Sequence, residues 1–265
     1  MPSTLPEQLA TKADIKRLKA LLRDRRARDD EGVFVCEGPR VIAAALDHGV
    51  PLLSGFVGVD ATEEMQAVAQ RVAATGVPVR LLDTYAGARV GDTVNPQPVF
   101  ALASMHRTGI ESLAGIDLAL VATRLADPGN AGTLMRSAAA AGAQVIVLGR
   151  GSVDAYNPKV VRASAGACFA VRIVEGRPAM EILEALGAQE VACLGATATG
   201  GAAPETFDLT APTAIVLGHE TEGLDPSLAL TAKVTLPMAA GESLNVAMAG
   251  TALLFEAARQ RRVAR

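Results

Sequence analysis

The chain has 265 residues, of which 50% are apolar, 20% are charged and only 3% are aromatic. A chain of this length can bury one large core or two smaller ones, and its apolar fraction excludes an intrinsically disordered protein. The 25 glycines and 14 prolines follow no period, which excludes a fibrous repeat.

The net charge of -3 disfavours a nucleic-acid partner at first sight, but the charges are unevenly distributed. Residues 12–28 hold eight basic side chains against two acidic ones, and residues 256–265 hold four against one. Basic ends on an acidic remainder are a recognised hint of contact with nucleic acid. Because the chain has two Tyr, six Phe and no Trp, we expect recognition through phosphates, ribose hydroxyls and RNA shape rather than base stacking.

The three cysteines, Cys36, Cys168 and Cys193, are widely spaced and form no C-x-x-C motif. They are interpreted as small buried hydrophobes, and with only three scattered histidines we expect no metal site. The first residues lack the charged and apolar segments of a signal peptide, and no apolar run approaches the ~18 residues that span a membrane. We therefore expect a cytoplasmic protein without a membrane partner.

Residues 1–10 are predicted to be a flexible tail, and Thr11 with Asp14 marks a helix start of the capping-box type. The helix that follows carries a stripe of basic residues, namely Lys12, Lys16, Lys19 and Arg23. Such a stripe is in general more often a solvated face than a binding face. Its large excess of positive charge here favours contact with phosphates.

A strand–helix alternation follows this basic helix. We predict strands at residues 33–36, 52–59, 77–82 and 99–103, and helices at residues 39–47 and 62–75. Together with the first helix they form a compact α/β domain over residues 11–103, within the usual size range of a domain. The polar and weakly patterned residues 104–116 are interpreted as a linker.

A second alternation occupies residues 117–265. It predicts strands at residues 118–123, 145–148, 171–174, 191–195, 214–217 and 234–236, and helices at residues 131–141, 158–168, 178–187, 226–231 and 243–262. Apolar strands that alternate with helices indicate a parallel sheet covered on both faces. Because ligands of such sheets bind beyond the carboxyl ends of the strands, the loops at those ends are the candidate site.

The loop after the first strand of this domain lacks the G-x-G-x-x-G fingerprint of a dinucleotide-binding oxidoreductase, since Ala131 and Leu134 replace two of its glycines. The G-x-x-x-x-G-K-[ST] phosphate loop is absent from the sequence as well. Arg136 follows on a helix of small apolar residues, where an arginine is rarely buried without a partner. It either forms an ion pair or points into a site near Asn130.

Two further loops carry polar residues in apolar surroundings. Gly218 and Gly223 permit tight turns around a lone histidine, His219, which by itself is weak evidence for catalysis. Ser243 is a plausible N-cap of the last helix, and no G-x-S-x-G motif of a hydrolase surrounds it. Asn245 opens a helix that is apolar nearly all round, which predicts that Asn245 is buried and hydrogen-bonded.

Together these loops resemble the motifs of the SpoU (TrmH-like) RNA 2′-O-ribose methyltransferases in the SPOUT superfamily. The matching stretches are Asn130-x-Gly132-x-x-x-Arg136, Leu217-Gly218-x-Glu220-x-x-Gly223-Leu224, and Leu236-Pro237-Met238 with Ser243-Leu244-Asn245-Val246. Residues 157–166 are similar to the family too. More loosely, residues 34–38 and 96–99 resemble the ribosomal-protein-like RNA-binding module that often precedes this domain.

The resemblance implies a deep trefoil knot in the C-terminal domain, a structure otherwise very rare. It also implies S-adenosylmethionine as cofactor and a homodimer, formed through this domain, that completes the site. The residues that it assigns to the cofactor are Thr197, Leu217, Gly218, Leu236, Met238 and Leu244. Those assigned to the surroundings of the methyl acceptor are Asn130, Arg136, Glu220, Ser243 and Asn245. Residues expected to contact RNA are Lys12, Lys16, Lys19, Arg23 and Arg162.

These residue types suit the transfer of a methyl group from a sulfonium to a ribose hydroxyl. Arg136 is expected to activate the hydroxyl, and because arginine stays protonated, stabilisation of the developing alkoxide is the favoured role. Asn130, Ser243 and Asn245 would orient Arg136 and the ribose, and Glu220 would fix its loop or pair with Arg136. Two positions depart from the family pattern: His219, where Asn or a small residue is common, and Thr221, where Gly or Ala is common.

The leading hypothesis is therefore a methyltransferase acting on ribosomal RNA, a preference that rests on the extra N-terminal domain. A tRNA substrate is an alternative, and so is a non-catalytic RNA-binding protein that keeps the knot as a scaffold. Intact Asn130, Arg136, Ser243 and Asn245 count against the non-catalytic alternative. A nucleotide-dependent oxidoreductase is disfavoured by the missing fingerprint.

Overall fold

The computed structural model describes residues 8–91, 97–241 and 243–264, with the side chains of residues 88 and 89 excepted. They form two compact units, the first from Met1–His106 with Tyr156–Phe169 and the second from Arg107–Ala155 with Ala170–Arg265. Residues 1–7 of the expected tail and Pro96 of the N-terminal motif lie outside the described residues. The predicted domain and linker boundaries stay predictions.

The helices and strands alternate along most of the chain. The helices are α1 Lys12–Arg23, α2 Arg25–Glu31, α3 Pro39–Asp47, α4 Glu63–Ala74, α5 Thr84–Val90, α6 Pro128–Ala141, α7 Pro158–Ser164, α8 Ala179–Gly187 and α9 Val246–Val263. The strands are β1 Val33–Glu37, β2 Leu52–Gly58, β3 Val79–Leu82, β4 Val99–Ser104, β5 Leu118–Ala122, β6 Val145–Leu148, β7 Arg172–Glu175, β8 Ala192–Ala196, β9 Thr213–Leu217 and β10 Ala232–Val234. Short 3-10 turns occupy Ile110–Leu113, Ala167–Phe169 and Pro204–Thr206.

The first unit contains a four-stranded sheet in the order β1-β4-β2-β3. Strand β4 runs antiparallel to both of its neighbours, whereas β2 and β3 are parallel. The predicted strands and helices of this unit are confirmed to within a few residues, and α2 and α5 are additions. Both additions begin at an Asp that caps the helix, since Asp24 accepts from the backbone of Arg26 and Asp83 from that of Ala86.

The predicted start of α1 is confirmed at the level of its hydrogen bonds. The Thr11 hydroxyl accepts from the Asp14 backbone N–H at 3.1 Å, and the Asp14 carboxylate accepts from the Thr11 N–H at 2.9 Å. Residues 8–10, predicted to belong to the flexible tail, pair with β3 through backbone bonds of Gln8 and Ala10 to Leu81. These bonds fix the chain immediately before α1.

The second unit contains a six-stranded sheet in the order β10-β8-β9-β5-β6-β7, in which every neighbouring pair is parallel. Every residue of β5, β6 and β9 is buried, as expected for strands covered on both faces. The predicted α/β fold with a parallel sheet is therefore confirmed. The carboxyl ends of β8, β9 and β5 lie side by side in the middle of the sheet.

Helices α6 and α9 pack against each other in this unit. The hydroxyls of Ser137 and Thr251 are 2.7 Å apart, and a Cβ at Gly250 would come within 2.8 Å of the Leu134 and Leu217 side chains. Glycine at this position therefore lets the two helices approach closely. This packing places the start of α9 beside the start of α6.

Two predictions for this unit are wrong. Residues 226–231 form turns and irregular structure instead of a helix, although the Asp225 carboxylate binds the Ser227 N–H at 2.9 Å as an N-cap would. The segment leaves the helical path because the Leu230 N–H donates to the Leu228 carbonyl and the Thr231 N–H donates to the Cys193 carbonyl, so no i to i−4 ladder forms. The last helix begins at Val246, and its N-cap is Asn245 instead of Ser243. Asn245 competes better for this position because its side chain reaches two backbone N–H groups, those of Ala247 and Met248.

None of the described helices is both long enough and apolar enough to cross a membrane.

Candidate active site

A cavity lies at the carboxyl ends of β8, β9 and β10, closed on one side by the start of α9. It encloses about 760 Å³, the space at its open mouth included. Each strand contributes the residues that follow it, since β8 leads to Thr197, β9 to Gly218 and β10 to Leu236. Three segments distant in sequence therefore meet in one cavity, where ligands of parallel sheets are expected.

All six residues assigned to the cofactor lie in the walls of this cavity: Thr197, Leu217, Gly218, Leu236, Met238 and Leu244. Glu220 and Ser243, assigned to the methyl acceptor, line it as well. Sequence reasoning missed the contribution of α9, whose first two turns add Val246, Ala249 and Leu253 to the apolar wall. Their spacing of three and four residues is a helical stripe that could have revealed them.

The loop after β9 is folded tightly on itself. His219 and Gly223 exchange backbone hydrogen bonds of 2.9 and 3.0 Å, and Gly223 has a φ of +72°. A Cβ added to Gly218 would collide with the backbone of Gly223. The two glycines thus allow the chain to turn back and present Gly218, His219 and Glu220 to the cavity.

The two departures from the family pattern contact each other in this loop. The Thr221 hydroxyl lies 3.1 Å from Nδ1 of His219, and Nε2 of the same ring lies 3.8 Å from a carboxylate oxygen of Glu220. The ring is therefore held between a hydroxyl and a carboxylate. The residues at 219 and 221 act as a pair in this chain, although the sequence presents them as two separate changes.

The starts of α6 and α9 are joined through two asparagines. The Asn245 amide Nδ2 donates to Oδ1 of Asn130 at 3.2 Å, while Oδ1 of Asn245 caps α9. The expectation that Asn245 has hydrogen-bond partners is correct, but the expectation that it is buried is wrong, because its side chain is exposed. The apolar pattern of the helix does not extend to its cap.

Arg136 is exposed on α6, one helical turn and a half beyond Asn130. Its guanidinium forms no hydrogen bond or ion pair with any residue in the described part of the chain, Glu220 included. Of the two roles suggested for Glu220, the structure favours that of a loop residue beside His219. Arg136 therefore presents a cation at the surface of α6, and neither Arg136 nor Asn130 lines the cavity.

The residues expected to contact RNA differ in their surroundings. Lys12, Lys16 and Arg23 are exposed on α1 and Lys19 is partly exposed, whereas Arg28, counted with them in the basic segment, is buried and donates to the Leu21 carbonyl at 2.7 Å. Arg162 donates to the buried Glu37 at 2.6 Å within the first unit. Its charge is thus balanced by a neighbour, whereas Lys12, Lys16 and Lys19 form no ion pair with any residue that the structure describes.

The cysteines have no features of reactive thiols. All three are buried and free, and burial raises the pKa of the Cys168 and Cys193 thiols to about 11 and holds the pKa of Cys36 well above its usual value. The thiolate form is therefore scarce at neutral pH, in keeping with a packing role. Among the described residues, no group of three or more His, Cys, Asp or Glu side chains is arranged to hold a metal ion.

Comparison with known proteins assigns each half of the chain to a family. Residues 117–255 match the SpoU rRNA Methylase family, and residues 12–101 match the MRM3-like substrate binding domain. The chain is 32% identical over 249 residues to an uncharacterized tRNA/rRNA methyltransferase of Synechocystis sp., covering 93% of this chain and 90% of the relative. It is 31% identical to the 23S rRNA (uridine(2479)-2′-O)-methyltransferase of Streptomyces viridochromogenes, covering 94% and 90%.

Solved structures extend this likeness to the whole architecture. The SpoU methyltransferase AviRb from Streptomyces viridochromogenes, in complex with the cofactor AdoMet, superposes with a TM-score of 0.84 at 28% identity, covering 95% of this chain and 100% of that one. An rRNA methyltransferase from Sinorhizobium meliloti gives 0.83 at 28% identity, covering 94% and 95%. The SpoU match alone spans more than half of the chain. The protein is therefore a member of the SpoU rRNA methylase family.

Proposed function

We propose that the protein transfers a methyl group from S-adenosylmethionine to a ribose 2′-hydroxyl of ribosomal RNA. The observation that carries the proposal is the cavity in which two motifs of the family meet, the one after β9 and the one after β10, with the remaining motif joined to it by the hydrogen bond between Asn245 and Asn130. The named relatives support the choice of substrate, since one methylates the 2′-oxygen of a 23S rRNA uridine and another that of a 23S rRNA guanosine.

The residues of the cavity fit S-adenosylmethionine. Leu217, Leu236 and Leu244 supply apolar surface suited to an adenine ring, and the Glu220 carboxylate supplies negative charge suited to a sulfonium. The AviRb structure was obtained with the same cofactor. When bound, S-adenosylmethionine would supply an activated methyl group on its positively charged sulfur.

Arg136, the two asparagines and Ser243 would prepare the acceptor. The Arg136 guanidinium would stabilise the negative charge that develops on the ribose oxygen. The Asn130–Asn245 pair joins the starts of α6 and α9, so that these groups are held in place before the reaction begins. Ser243, on the cavity wall, would orient the ribose.

We also propose that the C-terminal domain forms the deep trefoil knot of the family. Strand β10 lies at the edge of the six-stranded sheet, three places from β5. Helix α9, which follows it, packs against α6, the helix after β5. The chain must therefore return from the edge of the sheet to its middle through residues 235–245, which is the path that a knotted crossing requires.

The active form is proposed to be a homodimer that associates through the C-terminal domain. Four large apolar side chains are exposed on or just before α9: Leu244 at 47%, Met248 at 59%, Phe255 at 45% and, in the last turn, Val263 at 77%. Met248 and Phe255 are two turns apart and thus share one face of the helix. The sequence pattern predicts burial for this apolar helix, and a second copy of the chain would supply it.

Methyl transfer from labelled S-adenosylmethionine to rRNA and to tRNA tests the proposal. We expect label in the ribose of rRNA, and loss of transfer by more than about a hundredfold in Arg136→Ala with cofactor affinity unchanged. Calorimetric titration measures that affinity. Full activity of Arg136→Ala would overturn the mechanism, label in tRNA alone would change the substrate, and absence of both cofactor binding and transfer would favour a non-catalytic RNA-binding protein.

A further inference from the structure

Three arginines stand in the same register beyond the carboxyl ends of neighbouring strands. Ala122 of β5 pairs with Leu148 of β6, and Leu148 pairs with Glu175 of β7. Two residues beyond these three paired positions stand Arg124, Arg150 and Arg177, which we call the arginine row. Since neighbouring strands are about 4.8 Å apart, the row spans about 10 Å along the edge of the sheet.

Local contacts confirm that the members of the row are neighbours. The Arg150 backbone N–H donates to the Arg177 carbonyl at 2.8 Å, and the side chain of Arg124 packs beside Gly151. Arg124 and Arg150 line one open cleft of the second unit. All three side chains are exposed, so their cationic groups face solvent.

The row leads to the proposed cofactor cavity. Ala122 also pairs with Leu217 of β9, and two residues beyond Leu217 stands His219. His219 lines both the cleft that holds Arg124 and Arg150 and the cavity at the ends of β8, β9 and β10. The cleft and the cavity therefore share a wall, and the arginine row extends from it toward β7.

Acidic side chains near the row form ion pairs with two of its three arginines. Arg124 pairs with Glu222 at 3.5 Å and Arg177 with Glu181 at 3.4 Å, both as exposed ion pairs, which contribute little energy and exchange readily. The Asp225 carboxylate, also in the cleft, is already bound to Ser227. Arg150 forms no ion pair with any described residue.

We propose that the arginine row binds consecutive phosphates of the RNA strand that delivers the target ribose to the cavity. Arginine suits this role because its planar fork can donate two hydrogen bonds to one phosphate. A row of cations at regular spacing matches a chain of regularly spaced anions, and its contacts are independent of base identity. The inference rests on the proposed function, since it takes RNA as the substrate.

The experiment compares two pairs of substitutions that each remove two positive charges. The test variant is Arg150→Ala with Arg177→Ala, which leaves the Arg124–Glu222 pair next to the cavity intact. The control variant is Arg71→Ala with Lys233→Ala, two exposed cations outside the row. A third variant, Arg150→Lys with Arg177→Lys, keeps both positive charges but loses the planar guanidinium groups that can donate two hydrogen bonds to one phosphate. The probe is 23S rRNA transcribed in vitro, and the measurements are its Kd across a salt series, the KM for RNA, and the Kd for S-adenosylmethionine.

We expect the test variant to raise the Kd and the KM for RNA by about tenfold. The slope of log affinity against log salt concentration should fall by about 1.4, because that is the contribution of two phosphate contacts to a single strand. The lysine variant should restore the slope but only part of the affinity. The control should match the wild type, and cofactor affinity should stay unchanged in all variants.

Different results would contradict the proposed role of the arginine row and the proposed function. An unchanged slope and RNA affinity in the test variant, with a wild type that methylates RNA, would overturn the row alone. A wild type that transfers no methyl group would overturn the proposed function, whatever the RNA affinities. If the test variant lost cofactor affinity together with RNA affinity, the arginines would be shown to stabilise the domain instead of contacting RNA. That result would also overturn the proposed role of the arginine row.

Discussion

Gly218 has no room for a side chain, because the backbone of Gly223 occupies the place that a Cβ would take. The clash involves main-chain atoms on both sides of a closed loop, so that neither partner can rotate away as a flexible side chain would. Sequence reading identifies Gly218 as a turn residue, but the identity of the group that it approaches, 5 residues along the chain, comes from the structure. The same loop carries His219 and Glu220 to the cavity.

Replacement of Gly218 by alanine should therefore open the loop and weaken cofactor binding. We expect Gly218→Ala to raise the Kd for S-adenosylmethionine by at least about tenfold and to cost about 1–3 kcal/mol of stability, the usual range for overpacking. Titration calorimetry and urea unfolding measure the two effects. Gly187→Ala is the matched control, because a Cβ there meets no atom within 4 Å. Equal cofactor affinity of both variants would contradict the prediction.

At the scale of single elements, α9 and α1 show what helix patterns do and do not reveal. The N-cap of α9 serves two purposes, since Asn245 caps the helix through its oxygen and reaches Asn130 through its nitrogen. Helix α1 likewise combines a buried face that includes Leu18 and Leu21 with an exposed basic face. In each case one side of the element maintains the fold and the other is available for function.

Two substitutions of Asn245 should separate its cap from its contact. Asn245→Ser keeps a good N-cap but is too short to reach Asn130, whereas Asn245→Ala loses both interactions. We expect the alanine variant to lose about 1 kcal/mol of stability and the serine variant only a few tenths. Both should lose about tenfold in methyl transfer, the value of one hydrogen bond of ~1.4 kcal/mol. Wild-type activity of the serine variant would show that Asn245 is a cap and nothing more.

The basic face of α1 should contribute to RNA binding through phosphates. We expect simultaneous replacement by alanine of Lys12, Lys16, Lys19 and Arg23 to weaken RNA binding and to flatten its dependence on salt. Arg17→Ala is the comparison on the same helix, since this arginine is held by Glu31 at 2.7 Å and should affect binding less. Filter binding across a salt series measures both. Unchanged affinity at every salt concentration would make α1 an ordinary solvated helix.

At the scale of the whole molecule, the exposed apolar face of α9 is the feature that a single chain does not explain. Met248 and Phe255 are exposed although the sequence around them has the pattern of a buried helix. Because isolated molecules rarely keep such side chains on one exposed face, the pattern is consistent with the proposed homodimer. Burial in an assembly and burial in a core give the same sequence signal, so only the fold of the single chain tells them apart.

Charges placed on this face should separate the protomers. We expect Met248→Glu with Phe255→Glu to sediment as a monomer and to lose methyl transfer, because a dimer is proposed to complete the site. Val59→Glu, an exposed apolar residue of the first unit, is the control and should sediment as the wild type does. A wild type that is monomeric at every concentration would contradict the homodimer itself.

The sequence by itself determined the order of helices and strands, the parallel sheet and the loops that form the site. Hydrophobic periodicity and caps such as Thr11 are local signals that held over most of the chain, whereas the signals at Asp225 and Ser243 were overridden by their surroundings. The tertiary structure decided which distant residues meet: Asn130 with Asn245, and three arginines in register beyond neighbouring strands. Those contacts depend on strand order and on the packing of α9 against α6, which periodicity does not encode.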